Sequence, residues 1–439
     1  MSLFLSRVYT KRRIIPYREA EKIMKKTLKD RVPQRAKNWY HLVQALVANL
    51  WFGFPSRKLK VIGVTGTNGK TTVTQLVSAV LEEAGYRVAR ASTIDFQVGD
   101  VHEVNATKYT TMSAWAVQKF LRRAIQAKCE YVVLETSSHA LDQERVWGVR
   151  YRTAVITNVT REHLDYHHTM EEYARVKRRL FEQASIAVVN ADMEHPENFL
   201  APSNLTQRFT YSTSDPQANI LAEQIVATEA GSTFTVDGVE FVLHLLGKFN
   251  VENALAAIAV GVSEGIPLPV IAGALKKIAG IPGRMEYIPN HRDLSIIIDY
   301  AVTPDSLEKL YELISHNKKS ATNKIIAVFG ACGERDRGKR PMMGEIVSSY
   351  ADIVILTNED PYREDPKRII HEIAKGVKGK TLGKNYFRIL DRHAAIVKAL
   401  RLAQPGDTLV VTGKGAEETM AIGTKRIPWN DRRVIEGLL

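Results

Sequence analysis

The chain has 439 residues, of which 45% are hydrophobic and 25% charged, the composition of an ordinary soluble globular protein with roughly three domains. Its two cysteines, Cys129 and Cys332, lie far apart in sequence, which argues against a disulfide framework and fits a reducing compartment, the cytoplasm. The net charge of +13 is uneven, because residues 1–60 hold fifteen Lys or Arg and three Asp or Glu. The remainder is close to neutral, so the composition excludes a nucleic-acid-binding surface spread over the whole protein.

The first 58 residues are predicted to form a basic, helical N-terminal segment. Its apolar stretch from Trp39 to Pro55 contains His41, Gln44 and Asn49 and is short for a bilayer span. It also lies too far from the start for a secretory signal. Two interpretations stay open: a helix packed on the next domain, or a basic amphipathic element that contacts an anionic surface at the inner face of the membrane.

Residues 59–283 are predicted to form a central α/β domain. The apolar run Lys60–Thr65 enters a glycine-rich turn, and helical spacing follows from Thr71 to Ala84. Two further apolar runs, Tyr131–Leu134 and Ala154–Ile156, end in polar residues. Strands that alternate with helices predict a mainly parallel α/β sheet, whose ligands bind beyond the carboxyl ends of the strands.

The second half of the chain begins with a change of pattern. Residues 205–245 alternate between polar and apolar, which predicts strands and a hairpin turn at Asp237–Gly238. A helix is predicted from Phe249 to Glu264, followed by a linker at Gly280–Gly283. Residues 284–439 are predicted to form a Rossmann-like α/β domain. Its candidate strands are Ser295–Ile298, Ile325–Phe329, Ile353–Leu356, Phe387–Leu390 and Thr408–Val411.

A glycine-rich loop follows the first predicted strand and opens a helix, which is the context of a phosphate-binding loop. Glycines let backbone N–H groups converge on phosphate oxygens, and the helix N-terminus adds partial positive charge. Lys70 can reach the β- and γ-phosphates of ATP, and the Thr71 hydroxyl can ligate Mg²⁺. The nucleotide-binding residues predicted here are Gly66, Thr67, Asn68, Gly69, Lys70, Thr71 and Thr72.

Two side chains that follow later strands are candidate metal ligands. Glu135 ends a predicted strand, and a carboxylate there, beside the phosphate-binding loop, is well placed to hold Mg²⁺. His163 follows the next strand and is a plausible second ligand. A serine hydrolase is disfavoured, because the adjacent residues Ser138 and His139 cannot readily act as nucleophile and base.

Three sequence blocks resemble the Mur ligase family, in particular its MurE-type members. They are GTNGKTT at 66–72, SSHALDQERV at 137–146 and TNVTREHLDYH at 157–167. The resemblance covers about residues 58–439. It implies an ATP-dependent peptide ligase that adds diaminopimelate or lysine to a UDP-N-acetylmuramoyl-dipeptide, through an acyl phosphate, in peptidoglycan precursor synthesis.

The resemblance also implies roles for residues near the phosphates. Lys177 matches a lysine that is carbamylated in the family, which matters because an ordinary Lys ammonium cannot bind a cation. The implied ligands of Mg²⁺ are Thr71, Glu135, His163 and Lys177. The implied catalytic residues are Lys70, Glu135, His163, Lys177 and Arg335. Further implied contacts to the nucleotide are Asn250, Asn253, Arg284 and Asp299.

Other blocks imply the contacts of the two remaining substrates. For the muramyl-peptide donor they are Thr110, Thr111, Ser137, Ser138, His139, Gln143 and Arg145. For the incoming amino acid they are Glu359, Asp360, Arg363, Gly413 and Glu417. Tyr362 stands where diaminopimelate enzymes carry a carboxylate-binding arginine, and the two preceding acidic residues suit a cationic side chain. Lysine is therefore favoured as the incoming amino acid. The alternative also stays open that Arg363, one residue further on, takes the place of the missing arginine and binds diaminopimelate.

The sequence departs from the family in several places. Glu162, Val302 and Ala416 replace the usual Asp, His and His. The N-terminal region is shortened and atypical, with 58 residues in place of a uridine-binding domain, so we hypothesise reduced uridine recognition or a different carrier-linked donor. A pseudomurein-type or folylpolyglutamate-type ligase, or a non-catalytic ATP-binding partner protein, are the alternatives. We expect a cytoplasmic monomer with ATP and Mg²⁺ and no nucleic-acid partner.

Overall fold

The computed structural model describes residues 34–439 except residues 108, 229 and 319. The described chain begins with helix α1 (Gln34–Phe52), one face of which packs on the helix Ala114–Gln126. Asn49 is buried, and its side-chain amide donates to the carbonyl oxygen of Trp147 at 2.9 Å, in the loop before β6. The prediction of a helix packed on the following domain is confirmed, whereas residues 1–33 of the basic segment lie outside the described residues.

The first sheet has nine strands in the described part of the chain. They are β1 (Lys60–Thr65), β2 (Val88–Ala91), β3 (Asp95–Val98), β4 (Val101–Val104), β5 (Tyr131–Glu135), β6 (Tyr151–Ile156), β7 (Ile186–Asn190), β8 (Gln207–Ser212) and β9 (Ile220–Leu221). Their order is β4-β3-β2-β5-β1-β6-β7-β8-β9, and all pairs are parallel except β2 with β3 and β3 with β4. Strand β1 is the central strand of the nine and has a parallel neighbour on each side, which places the loop after it at the sheet's centre.

Helices cover both faces of this sheet, because its central strands are buried and apolar on both sides. They are α2 (Lys70–Glu83), α3 (Ala114–Gln126), α4 (Ser138–Asp142), α5 (Leu164–His167), α6 (Met170–Arg178), α7 (Glu197–Leu200), α8 (Lys248–Ser263) and α9 (Leu268–Lys276). Two 3₁₀ helices, Pro55–Lys58 and Phe181–Gln183, precede β1 and β7.

A small antiparallel sheet precedes α8. It consists of β10 (Glu223–Thr228), β11 (Gly231–Val236) and β12 (Val239–Leu243). The predicted hairpin turn is confirmed: Asp237 and Gly238 have φ of 48° and 76°, and positive φ at both central residues is the requirement of a type I′ turn.

The third sheet lies in the C-terminal part. Its strands are β13 (Glu286–Ile288), β14 (Ser295–Asp299), β15 (Ile325–Phe329), β16 (Ile353–Leu356), β17 (Tyr386–Arg388) and β18 (Thr408–Thr412). The order is β13-β14-β18-β15-β16-β17, with all pairs parallel except β13 with β14. The expected α/β fold class, with a parallel-sheet ATPase region and a C-terminal Rossmann-like region, is confirmed.

Helices and a hairpin complete the C-terminal part. They are α10 (Pro304–His316), α11 (Lys339–Tyr350), α12 (Pro366–Ala374), α13 (Arg392–Leu402), the hairpin β19 (Thr419–Ile422) and β20 (Lys425–Pro428), and α14 (Asp431–Glu436). The prediction for β17 is wrong by one to two residues, because Tyr386 already pairs with Val354 in the sheet. Within residues 34–439, no described helix has the length and apolar character needed to span a membrane.

Candidate active site

A cleft of about 290 Å³ lies between the two large sheets. Its lining residues follow β1, β5 and β6 on one side and β14, β15, β16 and β18 on the other, so the carboxyl ends of both sets of strands face it. The predicted residues that line the cleft are Thr67, Asn68, Gly69, Lys70, Thr71, Thr72, Thr110, Glu135, His163, Asn250, Asn253, Arg284, Asp299, Arg335, Glu359, Asp360, Gly413 and Glu417.

The loop between β1 and α2 has the backbone conformation of an anion-binding loop. Gly66 and Gly69 have φ of 150° and 83°, and a Cβ atom at Gly66 would overlap the Thr157 hydroxyl. The Lys70 amine folds back onto the loop and donates to the carbonyl oxygens of Gly66 (3.1 Å) and Thr67 (2.7 Å). Burial lowers the pKa of Lys70, although the nearby carboxylate of Glu135 opposes that shift.

Glu135 sits at the end of β5 in a buried set of hydroxyl donors. Its carboxylate accepts from the Thr71 hydroxyl (3.1 and 3.0 Å), from the Thr93 hydroxyl (2.9 Å) and from the Thr93 backbone N–H (2.7 Å). The hydroxyl oxygens of Thr93 and Thr110 lie 3.2 Å apart. Carboxylate and hydroxyl oxygens are hard ligands, which are the kind that Mg²⁺ prefers.

His163 enters the same cleft from the loop after β6. Its φ of 56° is unusual for a non-glycine residue, and its buried Nδ1 atom accepts and donates no hydrogen bond in the described part of the chain. Burial, followed by the charge of His139, holds the pKa of His163 well below its usual range. A neutral imidazole with an unused nitrogen suits a ligand role.

Lys177 lies just beneath the phosphate-binding loop rather than in the cleft wall. Its amine is fully buried, donates to the carbonyl oxygen of Gly66 at 2.7 Å and lies 4.3 Å from the ring centroid of Tyr173. Burial, and then the charge of Lys70, holds the pKa of Lys177 well below its ordinary value. Lys177 lies on helix α6, which begins after Thr169: the Thr169 hydroxyl accepts from the Glu172 N–H, while the Glu172 carboxylate binds Arg175.

The predicted donor contacts form a second group beside the cleft. The Thr111 hydroxyl accepts a hydrogen bond from the Ser137 N–H at 2.9 Å and donates one to the Glu135 carbonyl oxygen at 2.9 Å. These bonds attach the group to the end of β5. Arg145 donates to the Thr111 carbonyl oxygen and to the Gln143 side chain. The His139 ring lies 4.6 Å from that of His163, and Ser138 binds His167.

The predicted nucleotide contacts come from both halves of the chain. On α8, Asn250 and Asn253 present buried amides on one helix face, 3.0 Å apart. Arg284 donates to the Thr71 hydroxyl at 3.1 Å. Asp299 accepts from the backbone N–H groups of Met285 and Ala301, both at 2.7 Å, and burial raises the pKa of Asp299.

The far end of the cleft is acidic. Glu359 is buried, and its Oε2 atom accepts no hydrogen bond within the described residues. Burial, with the charge of Asp360, raises the pKa of Glu359 to about 7. Asp360 and Glu417 both bind the buried amine of Lys414.

Two arginines differ sharply at this end. Arg335 lines the cleft, and its guanidinium lies 5.9 Å from the ring centroid of Tyr362. Arg363 is exposed and does not line the cleft, so the structure does not bring it to the other predicted acceptor contacts.

Comparisons with known proteins identify the family in which this set of cleft residues occurs. Residues 64–261 match the Mur ligase middle domain, and residues 283–415 match the Mur ligase, glutamate ligase domain. The UDP-N-acetylmuramyl-tripeptide synthetase of Roseiflexus sp. (strain RS-1) is 41% identical over 409 residues, which cover 88% of this chain and 80% of the relative. The chain belongs to the Mur ligase family. It is therefore an ATP-dependent ligase, as the sequence blocks predicted.

Other relatives of this Mur ligase carry more specific names. The UDP-N-acetylmuramoyl-L-alanyl-D-glutamate–2,6-diaminopimelate ligase of Bacillus cereus is 38% identical, with 89% of the chain and 80% of the relative covered. A solved structure of a ligase of that name is 34% identical with a TM-score of 0.58, covering 87% of this chain and 78% of the other. A folylpolyglutamate synthase of Mycobacterium tuberculosis has a TM-score of 0.70 at 19% identity, with 85% and 92% covered, which shows the fold alone.

The Mur ligase cleft also contains residues that sequence reasoning missed. Thr93 donates twice to Glu135 but stands in no motif, and Asp305 accepts from the Asn68 amide at 2.7 Å although it lies 237 residues away. Glu162 binds Lys339 (2.9 Å), which also donates to the carbonyl oxygen of Val302 (2.8 Å). The sequence analysis had noted Glu162 and Val302 only as departures from the family pattern. Those two departures were the only indication in the sequence of a contact at these positions.

The ion pair between Glu162 and Lys339 joins the first sheet to the third. Both side chains are more than nine-tenths buried, so replacing one partner leaves the other charge without compensation. We expect E162Q and K339M each to lower the free energy of unfolding by about 2 kcal/mol, and the double variant to recover part of that loss. Denaturant unfolding of the four proteins gives the interaction energy.

The exposed pair Lys378–Glu345 is the matched control for that cycle. Its side chains are 70% and 55% exposed, and such pairs contribute less than about 1 kcal/mol. Strictly additive effects of E162Q and K339M would contradict the role of their pair in joining the sheets.

Proposed function

We propose that this ligase adds an amino acid with a second amino group, lysine or diaminopimelate, to a UDP-N-acetylmuramoyl-dipeptide in peptidoglycan precursor synthesis. The observation that carries the proposal is a single cleft with the glycine-rich loop at one end and an acidic end at the other, with the predicted donor contacts beside it. Two of the relatives named above, the diaminopimelate ligases, carry this donor in their names, together with diaminopimelate as the acceptor.

The first step would be attack of the donor carboxylate on the γ-phosphate of ATP. Lys70 would leave the loop carbonyls and neutralise charge on the β- and γ-phosphates, while Arg284 would contribute a second positive group. The amides of Asn250 and Asn253 would bind near the adenine. The products of this step would be ADP and an acyl phosphate on the donor.

The residues around Glu135 fit Mg²⁺. The Glu135 carboxylate already binds the Thr71 hydroxyl, and the buried Nδ1 of His163 forms no hydrogen bond within the described residues, with the Glu162 carboxylate 3.9 Å away. We propose that Thr71, Glu135, His163 and a carbamylated Lys177 hold the metal. When bound, Mg²⁺ would offset the negative charge of the transferring phosphoryl group.

The second step would be attack of the acceptor's α-amino group on the acyl phosphate, with release of phosphate. Arg335 is placed to bind the acceptor's α-carboxylate, and Glu359 to bind the ammonium group at the far end of its side chain. With Tyr362 in the place of an arginine and Arg363 exposed outside the cleft, these residues favour lysine over diaminopimelate.

The domain boundaries belong to the same proposal. We place them at residues 58/59 and 283/284, so that Gly283 and Arg284 form the hinge by which the C-terminal domain brings the acceptor to the acyl phosphate. We also propose that the enzyme is a monomer. The use of ATP and a UDP-linked donor supports a cytoplasmic location.

Phosphate release from ATP, measured with UDP-N-acetylmuramoyl-L-Ala-D-Glu and a panel of amino acids, tests the function. We expect release that requires both donor and acceptor, with a higher kcat/KM for lysine than for diaminopimelate. Release that ignores the donor would contradict the proposal, as would saturation by a folate or pseudomurein substrate instead. Normal saturation with the UDP-linked donor would also refute the hypothesis of reduced uridine recognition.

The variant E359Q tests the acceptor assignment. We expect it to reduce kcat/KM for lysine on the order of tenfold to a hundredfold, because it removes a charge-assisted hydrogen bond. In the unmodified enzyme the KM for lysine should fall as pH rises through about 7, where Glu359 loses its proton, and this dependence should vanish in E359Q. The variant R363Q is the comparison: a selective loss of diaminopimelate use there would contradict the assignment.

A further inference from the structure

Helix α1 carries an apolar stripe on the face opposite its contact with α3. The buried face contains Ala45, Ala48 and Asn49, with at most 1% of each residue exposed. The α1 stripe consists of Trp39, Tyr40, Val43, Leu46, Val47, Leu50 and Trp51, whose exposed fractions run from 39% to 74%. An unbroken exposed stripe of this length, with two tryptophans, marks an interaction surface rather than scattered surface residues.

A residue of α3 extends the stripe sideways. Trp115 is 43% exposed, and its ring centroid lies 6.0 Å from that of Trp51 and 5.1 Å from that of Phe52. Lys119 and Arg122 follow Trp115 at helical spacing and are exposed as well. The α1 stripe and Trp115 together form what we call the aromatic patch.

The two sequence stretches that form the aromatic patch contain no acidic residue, although Glu103 pairs with Arg123 of α3 and Asp142 accepts from Asn38 of α1. No Asp or Glu occurs between Asp30 and Glu82, or between Glu103 and Glu130, and these two stretches contain α1 and α3. Arg57 and Lys58, just after α1, are exposed and basic. In sequence, residues 1–33 add ten Lys or Arg against three Asp or Glu. The patch is therefore complementary to an anionic surface.

We propose that the aromatic patch docks on the surface of an anionic lipid bilayer. Trp and Tyr are the residues that favour the boundary between headgroups and acyl chains, and flanking Lys and Arg bind anionic headgroups. Helix α1 has an apolar face but cannot span a bilayer. These properties are typical of a helix that lies in the plane of the membrane–water interface.

Docking in this way would hold the donor end of the cleft near the membrane. The polar start of α1 contacts two neighbours of the donor contacts proposed above: Gln34 donates to the Tyr166 hydroxyl at 3.0 Å, and Asn38 donates to Asp142 at 3.1 Å. Tyr166 also donates to Asp142 at 2.7 Å, and Gln143 donates to Tyr166 at 3.4 Å. The surface that contacts lipid and the loop that contacts donor are thus connected by one helix.

Flotation of the full chain with lipid vesicles tests the proposal. We expect binding to phosphatidylglycerol–phosphatidylcholine vesicles, weak binding to pure phosphatidylcholine, and a blue shift of tryptophan fluorescence on binding. The double variant W39S/W51S should weaken binding on the order of tenfold or more. The variant K119Q/R122Q should weaken it about fivefold per charge removed, on anionic vesicles only.

Matched controls separate this result from a general effect on the protein. L382S and V226S remove apolar side chains that are 61% and 54% exposed elsewhere, and both should bind vesicles as the unmodified protein does. Equal binding to anionic and neutral vesicles, or to neither, would overturn the proposal. So would light scattering that shows a dimer which W39S/W51S dissociates, because the patch would then join two copies of the chain.

Discussion

Replacing Lys70 with Ala is expected to reduce donor-dependent phosphate release at least about a thousandfold. In the structure the Lys70 amine binds two carbonyl oxygens of its own loop, so it is held within reach of any phosphate that the loop binds. Its pKa is lowered by burial, and an incoming triphosphate would supply the negative charge that favours the ammonium form. Loss of the amine would leave the transferring phosphoryl group with less compensating charge.

Single-turnover phosphate release and nucleotide binding should be measured separately for K70A. We expect a large loss in the rate of the chemical step together with weaker ATP binding. The exposed Lys276 at the end of α9 provides the control, and K276A should retain the unmodified rate. A K70A enzyme with near-normal phosphate release would remove the main support for the phosphate-binding loop assignment.

Replacing Lys177 with Ala is expected to reduce ligation on the order of a hundredfold to a thousandfold. The Lys177 amine is fully buried, forms no ion pair with a carboxylate among the described residues, and lies beneath the loop next to Lys70. Its lowered pKa favours the neutral amine, which is the form that can react with carbon dioxide. A carbamate there would convert a buried positive group into a ligand for Mg²⁺.

The carbamate makes a second, independent prediction for the same residue. Depleting bicarbonate should slow the unmodified enzyme, and adding it back should restore the rate, whereas K177A should respond to neither change. R178A, on the partly exposed neighbouring position of α6, controls for disturbance of the helix. Full activity of K177A, together with indifference of the unmodified enzyme to bicarbonate, would refute the carbamate.

Local features of this molecule could be predicted from sequence because their causes are local. The bounds of β1 and of the hairpin at Asp237 follow from apolar runs and turn residues, and the loop at Gly66–Thr72 follows from its own glycines. The groups brought together at the carboxyl ends of β1, β5 and β6 also followed from the general geometry of parallel sheets.

Contacts between distant segments could not be predicted in that way. The Glu162–Lys339 pair and the Asn68–Asp305 hydrogen bond depend on how the two large sheets face each other. No short motif records that orientation. Thr93 was missed for a similar reason. It contributes to the site because it lies beside Glu135 and donates two hydrogen bonds to it, and its residue type alone does not indicate that position. Arg363 illustrates the converse error. Because it follows Glu359 and Asp360 closely in sequence, it was expected to line the same cleft, and it does not.

The hydrogen bonds from Asn68 to Asp305 and from Arg284 to Thr71 make the nucleotide loop a joint between the two halves of the enzyme. A nucleotide in the loop would compete with these hydrogen bonds or reinforce them. The affinity for ATP and the relative orientation of the two halves would therefore be thermodynamically coupled. Linkage is reciprocal: an acceptor that draws the halves together must tighten the grip on nucleotide by the same factor. The enzyme would thus sense, at its phosphate site, whether its third substrate has arrived.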